Sequence, residues 1–452
     1  MWYIHSKMKK VISRYSYFFK TSKSVCLAYS SKRNSFLKLS ADLYDFLSER
    51  QKRGSIEIQD ELPEEILRAL EQEGFICNEN DDDDFVLKSQ FVTQSVQHDK
   101  TKLNLVIAPT LNCNFNCPYC FEKDKRASTM DEQTVDNLIS FIKSHENVKS
   151  TEITWYGGEP LLARPVINTI LNRITNEIHA KIKRHSIITN GYLFDEKAIE
   201  LFKKYPLDSI QITLDGSKER HDKLRAMKSN HAPTYDHILK NIDLIVNKLP
   251  DTRLDIRVNI DKENMSDFFQ IHHEIQRKYT GKNVIVYPGI IRLENEEMTN
   301  LAEPSFGRWE TAQMIYDLYS KGILKGEVFP ELRLSKTCCA LCVSSYIIGP
   351  KGEIYKCWND VSDSSKVIGY IDRPEIVNKT LYYRYHQGCA WYNDPECKKC
   401  FFMPICNGKC AWYNERNLYH QGHFNLCQCM QKAPGLLDQC LESYYEHYQE
   451  TK

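Results

Sequence analysis

The stretch LNCNFNCPYCFE, residues 111–122, places three cysteines within eight positions: Cys113, Cys117 and Cys120. Cys113-x3-Cys117-x2-Cys120 can deliver three thiolates to one metal centre, and the run stops there. Tetrahedral zinc and an ordinary [4Fe–4S] cluster each take four protein ligands. Three ligands leave one position open, which is what a catalytic centre keeps and a structural one closes. On spacing alone, a zinc site that borrows a distant fourth ligand stands beside this reading.

The rest of the composition narrows the setting. The chain has 452 residues, more than one hydrophobic core usually organises, so two or three domains are expected. Hydrophobic residues make up 42% and charged residues 27%, ordinary values for a globular protein. Lys+Arg and Asp+Glu both number 60, so net charge gives no reason to expect nucleic acid or an anionic membrane as partner. No apolar run approaches the ~20 residues that span a bilayer. The first twenty residues are basic but interrupted by polar ones, with no export signal, and a cytoplasmic location is expected. In that compartment seventeen cysteines read as thiolate ligands or redox groups rather than disulfides. They are nearly absent from 121–337 and dense in 338–440, as clusters in separate domains would be.

Four regions follow from the pattern along the chain. Residues 1–95 are expected to form a small winged-helix-like module. SVCLAYS and SFLKL flank the turn SKRN as a strand pair, Ser40 caps a helix through ADLYDFLSER, and Pro63 opens a second helix that Gly74 stops. The acidic run ENDDDDF (79–85) reads as a solvated loop or wing, since it lacks the spaced oxygen ligands of a calcium loop. Such a module can bind an extended peptide by adding it as a strand. Residues 102–290 alternate strand and helix: candidate strands are 103–109, 151–156, 185–190, 209–215, 254–260 and 283–288, with amphipathic segments between. In one of these, Ile238, Ile242 and Ile245 with Leu239 and Leu244 trace a core face. The fold class is therefore α/β, with six strand–helix units forming a partial (β/α)6 TIM-like barrel whose active site lies at the carboxyl ends of the strands. Residues 291–337 read as a connecting segment, partly helical. Residues 338–440, rich in Cys, Tyr and Trp and poor in periodicity, read as a domain held by metal.

Short motifs sit at the predicted strand ends. The second strand ends in GGEP (Gly157, Gly158, Glu159, Pro160), the third in TNG (Thr189, Asn190, Gly191) and the fourth in TLDG (Thr213, Asp215, Gly216), with HDKLR (221–225) following. With CxxxCxxC after the first strand, and Tyr119 before the last cysteine, the set resembles the radical S-adenosylmethionine (SAM) superfamily over residues 103–290. The resemblance implies that Cys113, Cys117 and Cys120 hold a [4Fe–4S] cluster whose open iron chelates the amino and carboxylate groups of SAM. It implies that Gly157, Gly158 and Glu159 lie along the methionine amino group, Tyr119 near the adenine, and Asn190 and Thr213 on strand ends lining the SAM site. The implied activity is reductive cleavage of SAM to a 5′-deoxyadenosyl radical that removes hydrogen from substrate.

Cys342-x9-Gly352-x4-Cys357 and Cys397-x2-Cys400-x5-Cys406-x3-Cys410 together resemble a SPASM domain, an extension with two auxiliary [4Fe–4S] clusters. By that resemblance one cluster takes Cys342, Cys357 and Cys410 with Cys338 or Cys339, and the other Cys397, Cys400 and Cys406 with Cys427 or Cys429; Cys338 and Cys427 are preferred. Cys26, Cys77, Cys389 and Cys440 are left as ordinary thiols.

The resemblance further implies a peptide or protein substrate. The leading reading is a maturase of a ribosomally made peptide with a leader sequence, forming a thioether or carbon–carbon crosslink and fed by an electron donor such as a flavodoxin or ferredoxin. An alternative is anaerobic sulfatase maturation, the oxidation of Cys or Ser to formylglycine. Those enzymes carry an Asp directly after the cysteine equivalent to Cys357, where this chain has Trp358, with Asp360 two residues on. A peptide-binding scaffold without catalysis is a third reading, against which the intact CxxxCxxC and GGEP motifs stand. Asp360, Glu159 and His221 are the candidate general bases.

Overall fold

The computed structural model describes residues 9–53, 57–58, 61–120, 127–290, 308–323, 330–373, 375–424, 426–427 and 435–450. Residues 291–307 and 324–329 of the expected connecting segment 291–337, and the alternative ligand Cys429, fall outside these residues. Two compact units result, one of Met1–His98, Gly307–Cys338 and Gln387–Lys452, the other of Asp99–Phe306 and Cys339–His386. This grouping differs from the expected boundaries. Residues 1–95 do not stand alone, and the segment 338–440 divides.

In the first unit, β1 (Lys10–Ile12) is followed by an antiparallel meander of β2 (Ser16–Lys20), β3 (Cys26–Ser30) and β4 (Ser35–Lys38). The turn 31–34 joins β3 to β4 as its polar sequence predicts, and Asn34, at φ 54, accepts a 2.6 Å hydrogen bond from Tyr29 Oη. Ser40 Oγ accepts from Leu43 N at 3.3 Å and caps α1 (Ala41–Lys52). Pro63 precedes α2 (Glu64–Gln72), which ends where Gly74 takes φ 80 and Phe75 N donates back to the Leu70 carbonyl at 2.8 Å. β5 (Ile76–Asn78) pairs antiparallel with β1. Ile12, Phe18, Ala28, Leu47, Ile58, Leu70 and Phe75 close a core between these elements.

The acidic run is not a loop: Asp81–Asp84 form the first turn of α3 (Asp81–Gln97). The helix N-terminus, with unsatisfied N–H groups and the positive end of its dipole, favours carboxylates there. Asp82 is buried and accepts hydrogen bonds from Arg14 N (2.8 Å), Lys32 Nζ (2.9 Å) and Ser13 Oγ (3.0 Å). Helix α3 does not cover its own module alone. Trp391 Nε1 donates to Thr93 Oγ1 (3.3 Å), and Tyr15 and Val86 share a core with Trp391, Tyr392 and Met403. On the meander, Phe19, Leu27 and Tyr29 pack with Phe402, Ile405 and Leu441, the last from the helix Leu436–Glu450. That shared core is why the N-terminal residues and residues 387–450 form one unit.

The second unit carries the expected strands, β6 (Lys102–Ile107), β7 (Ser150–Trp155), β8 (Lys181–Thr189), β9 (Ser209–Leu214), β10 (Arg253–Ile260) and β11 (Val284–Ile290). All are parallel neighbours in chain order, with α4 (Glu132–Lys143), α5 (Arg164–Glu177), α6 (Glu196–Lys204), α7 (Lys218–Leu224), α8 (Tyr235–Lys248) and α9 (Met265–Lys278) in the crossovers. This is the mixed α/β partial barrel the sequence predicts. Ile238, Ile242 and Ile245 of α8 are buried completely. The sheet does not end at β6. β12 (Ser345–Ile348) pairs parallel to it, with Tyr346 opposite Leu105, and β13 (Glu353–Tyr355) and β14 (Gly369–Tyr370) continue antiparallel. Residues 339–370, expected to lack periodic structure, thus extend the barrel sheet.

Candidate active site at the strand ends

The cysteine loop leaves β6 and is pinned by its own backbone. Leu111 N donates to the Ser128 carbonyl (2.9 Å), Lys228 N to the Asn114 carbonyl (2.7 Å) and Phe115 N to Cys113 Sγ (3.4 Å). Cys113, Cys117 and Cys120 are half-buried. Burial pushes the Cys113 thiol up to about 12, with the charges of Glu159, Cys117 and Cys120 adding to the rise. Burial raises Cys117 as well, opposed by the Arg225 guanidinium. A metal centre would have to displace these protons.

The GGEP turn lies backbone to backbone against this loop. A Cβ on Gly157, at φ +123, would stand 2.3 Å from the Thr110 carbonyl oxygen, and one on Gly158 would stand 2.3 Å from that of Asn112. Glycine is required at both by close approach. Glu159 N donates to the same Asn112 carbonyl at 2.8 Å. The Glu159 carboxylate is fully buried and accepts from Thr189 Oγ1 (2.8 Å), Asn190 N (2.8 Å) and Leu161 N (3.0 Å). It therefore ties β7 to the end of β8, while burial raises its pKa. Asn190 Nδ2 reaches the cysteine loop, donating to Asn114 Oδ1 at 2.7 Å. Asn241 of α8 clamps the same TNG turn through the Gly191 and Tyr192 carbonyls, a polar residue on a face read only as core.

A second buried network joins the ends of β9 and β10 to Tyr119. The Tyr119 hydroxyl donates to Asp215 and accepts from Arg225 Nη1 at 2.9 Å. Asn259 Nδ2 donates to Asp215 Oδ1 at 2.9 Å, and the Arg225 guanidinium stands 3.8 Å from that oxygen and 5.7 Å from the Phe115 ring centre. Burial and Asp215 hold the Tyr119 phenol well above its usual range, so it stays protonated. Thr213 is half-buried in β9, opposite Arg257 of β10. TLDG and HDKLR pointed to this corner, but no sequence signal placed Asn259 or joined Tyr119 to it.

The three base candidates are all engaged. His221 is fully buried, with Nδ1 accepting from Asp215 N (3.3 Å) and Nε2 against Thr234 Oγ1 (3.1 Å); burial pushes its pKa down to about 3. Asp360 is buried and accepts from Tyr385 Oη at 2.7 Å, and Glu159 is occupied as described. Trp358 packs edge-on against Tyr156, the residue before the GGE turn, with ring centres 4.9 Å apart.

The later cysteines separate by unit. Cys338 and Cys410 belong to the first unit, and Cys342 and Cys357 to the second. There Lys356, fully buried, donates to the Cys342 and Ser345 carbonyls, each at 2.6 Å. The first unit holds Cys397, Cys400, Cys406 and Cys427. Burial lifts Cys397 to about 12 against the Lys409 ammonium, with Asp394 and then Cys406 and Cys400 adding to the rise, and Cys400 is raised by burial, with Cys406 and Cys427 adding. Among the described residues no three His, Cys, Asp or Glu side chains converge tightly enough for a single metal ion. A four-iron cubane is wider than one ion, so its thiolates stand further apart. Thiols gathered near Cys113 and near Cys397 and Cys400 are the donor type such a cluster takes.

Residues 107–275 match the Radical SAM superfamily. The chain is similar to the cysteine-type anaerobic sulfatase-maturating enzyme of Clostridium novyi (strain NT), 25% identical over 348 residues, covering 70% of this chain and 89% of that one. It is similar to the radical SAM cyclopropyl synthase TigE of Paramaledivibacter caminithermalis, 21% identical over 422 residues, covering 83% of this chain and 81% of the other. Among solved structures, native anSMEcpe with bound AdoMet and Cp18Cys peptide superimposes with a TM-score of 0.58 at 17% identity, covering 77% of this chain and 98% of that chain, which shows a shared fold.

Proposed function

We propose, from the premise that this chain is a radical SAM enzyme through residues 107–275, that it is a maturase crosslinking a ribosomally made peptide. When bound, a [4Fe–4S] cluster and SAM supply one electron and a 5′-deoxyadenosyl radical that takes a hydrogen atom from a substrate carbon. Cys113, Cys117 and Cys120 hold that cluster. Gly157 and Gly158 let the turn lie against the cysteine loop, and Glu159, by fixing the ends of β7 and β8, would hold that turn beside the methionine end of SAM. Tyr119, locked by Asp215 and Arg225, keeps its ring in one orientation for the adenine, with Asn190 and Thr213 on the neighbouring strand ends.

The observation that carries the reading is the contact of the GGE turn with the cysteine loop, where two backbones meet at distances only glycine permits. It supports a site in which the GGE turn and the three-cysteine loop act together on one small molecule. The auxiliary clusters follow the sequence resemblance, with Cys338, Cys342, Cys357 and Cys410 for one and Cys397, Cys400, Cys406 and Cys427 for the other. Bound there, such clusters would supply an electron acceptor for closing a carbon–sulfur bond, a crosslink that removes two hydrogens from the peptide. The peptide leader is expected to add as a strand to β4, which among the described strands has a partner only in β3. A small electron-transfer protein such as a flavodoxin or ferredoxin supplies the reducing electron. Among the described residues no helix is long and apolar enough to cross a membrane.

A second reading has one observation in its favour. The similarity to the sulfatase-maturating enzyme spans 89% of that protein, and oxidation of a Cys or Ser to formylglycine would use the same radical step. Trp358 stands against it, because an indole is a donor only and cannot take a proton where those enzymes carry an Asp. Anaerobic co-expression with a short Cys-containing peptide encoded beside the gene, followed by intact mass before and after thiol alkylation, separates the two. Loss of two hydrogens with one thiol no longer alkylated supports crosslinking. An unchanged peptide beside an oxidised sulfatase-derived peptide overturns it.

A further inference from the structure

The four-thiol set of the first unit is flanked by two ammonium groups held differently. Lys409 is ion-paired with Asp394, whose other oxygen caps the helix Pro395–Lys399 through Glu396 N at 2.8 Å. Lys336 has no carboxylate within ion-pair distance among the described residues. It is 3% exposed, its Nζ donates to the Arg333 carbonyl at 2.5 Å, and it lies 5.1 Å from the centre of the Trp391 ring. Its backbone N donates to Thr93 Oγ1 at 3.3 Å, and its Cβ would touch a Cβ on Gly408 at 3.3 Å. Gly408 N in turn donates to Cys406 Sγ at 3.3 Å. The side chain is thus fixed against the turn that carries Cys406.

A buried ammonium without an anion is costly and is normally neutralised or paired. The Lys336 side chain lies beside the Cys406 turn through Gly408, and Cys397 and Cys400 pack against the same core as the Trp391 ring under its ammonium. Around them Tyr15, Val86, Trp391, Tyr392 and Met403 exclude water, so the attraction of an ammonium for thiolates is poorly screened here. A [4Fe–4S] cluster on four thiolates carries two net negative charges, and three after accepting an electron.

We propose that Lys336 is the built-in counter-charge of a four-iron cluster on Cys397, Cys400, Cys406 and Cys427, and that it eases that cluster's uptake of an electron. This rests on the function proposed above and names which of this chain's residues makes the cluster a usable acceptor. Lys409, already neutralised by Asp394, contributes less.

The test uses the full chain with Cys113, Cys117 and Cys120 replaced by Ala, reconstituted with iron and sulfide and titrated with reductant while the reduced-cluster resonance is followed. The feature lost in Cys400→Ala, together with four irons, belongs to this cluster. In Lys336→Met that feature is expected to move to lower potential, Lys336→Arg to restore it, and Lys409→Met to move it less. Lys336→Gln, which keeps a donor to the Arg333 carbonyl without the charge, gives the same readout if the Met variant does not fold. A cluster present with an unchanged potential in both neutral variants overturns the inference alone. If Cys400→Ala loses neither iron nor resonance, the cluster assignment fails, and the inference with it.

Discussion

A single methyl group at Gly158 tests how the site is assembled. An alanine Cβ there would stand 2.3 Å from the Asn112 carbonyl oxygen and 2.7 Å from both the Asn112 carbonyl carbon and the Leu111 carbonyl oxygen, where ordinary contact begins at 3.4 Å. All three are backbone atoms, so no side chain can turn away, and the loop and the turn must part by roughly 1 Å. A displacement of that size at a reacting centre costs on the order of 100-fold in rate, or about 2.7 kcal/mol of transition-state stabilisation. The assay is 5′-deoxyadenosine formation from SAM under anaerobic reduction, per mole of protein, with iron counted in the same samples. Gly158→Ala is expected to lose about two orders of magnitude, by lost iron or slowed cleavage. Gly281→Ala, where no atom lies within 4 Å of the new Cβ and only the local strain of φ +75 is added, far along the chain from the cysteine loop, is the control and is expected to cleave SAM like the parent. Cleavage by Gly158→Ala within a few-fold of the parent would refute the reasoning.

Other substitutions probe the remaining contacts. Cys117→Ala should abolish SAM cleavage while the auxiliary iron is retained; retained cleavage would remove the three-cysteine assignment. Tyr119→Phe deletes the hydroxyl between Arg225 and Asp215 and should cost about 1–3 kcal/mol of stability, since it leaves buried charged partners short of a hydrogen bond. Unchanged denaturant midpoints would show the network to be incidental. Glu159→Gln turns an acceptor for Asn190 N into a donor facing a donor, and should weaken SAM binding in equilibrium dialysis; parental affinity would contradict the tie between β7 and β8. His221, held down to about 3 from 6.5 by burial, carries stability that is present above about pH 6.5 and lost as pH falls toward 3. At about pH 5 the parent should be roughly 2 kcal/mol less stable than at about pH 7.5 through this group, a loss His221→Gln should not show.

The barrel was legible because its signals are local. Six apolar runs of strand length, each followed by an amphipathic segment, leave few arrangements other than parallel strands with crossovers, and Ser40 and Gly74 mark helix limits through chemistry within three residues. What escaped is non-local. Tyr119 meets Arg225 across 106 positions and Asp215 across 96, and nothing near either one announces the other. The acidic run was readable in principle, as carboxylates gathered at a helix start, but a strongly charged segment also describes a solvated loop. Only the buried donors Arg14 N and Lys32 Nζ around Asp82 decide between them. Asn241 shows the same limit, because a polar residue on an apolar helix face gives no sign that two carbonyls of the TNG turn await it.

The strand β12 changes how the cysteine-rich segment should be viewed. An open edge at β6 would leave a row of unpaired N–H and C=O groups beside the loop that must be held most rigidly. Pairing with β12 satisfies that row from Asn104 to Ile107 and makes β6 an interior strand. The same segment brings Val361, Val367 and Tyr355 onto Val106 and packs Trp358 on Tyr156, so residues on both sides of the cysteine loop are buttressed by it. It also fixes Cys342 and Cys357 near each other in the second unit, because Lys356 reaches back to the Cys342 carbonyl while adjoining Cys357. The chain therefore cannot be cut at residue 338 into a catalytic barrel and a detachable extension. Residues 339–386 belong to the barrel's own unit, their strands β12 to β14 continue its sheet, and the strand that launches the three thiols owes its interior position to β12.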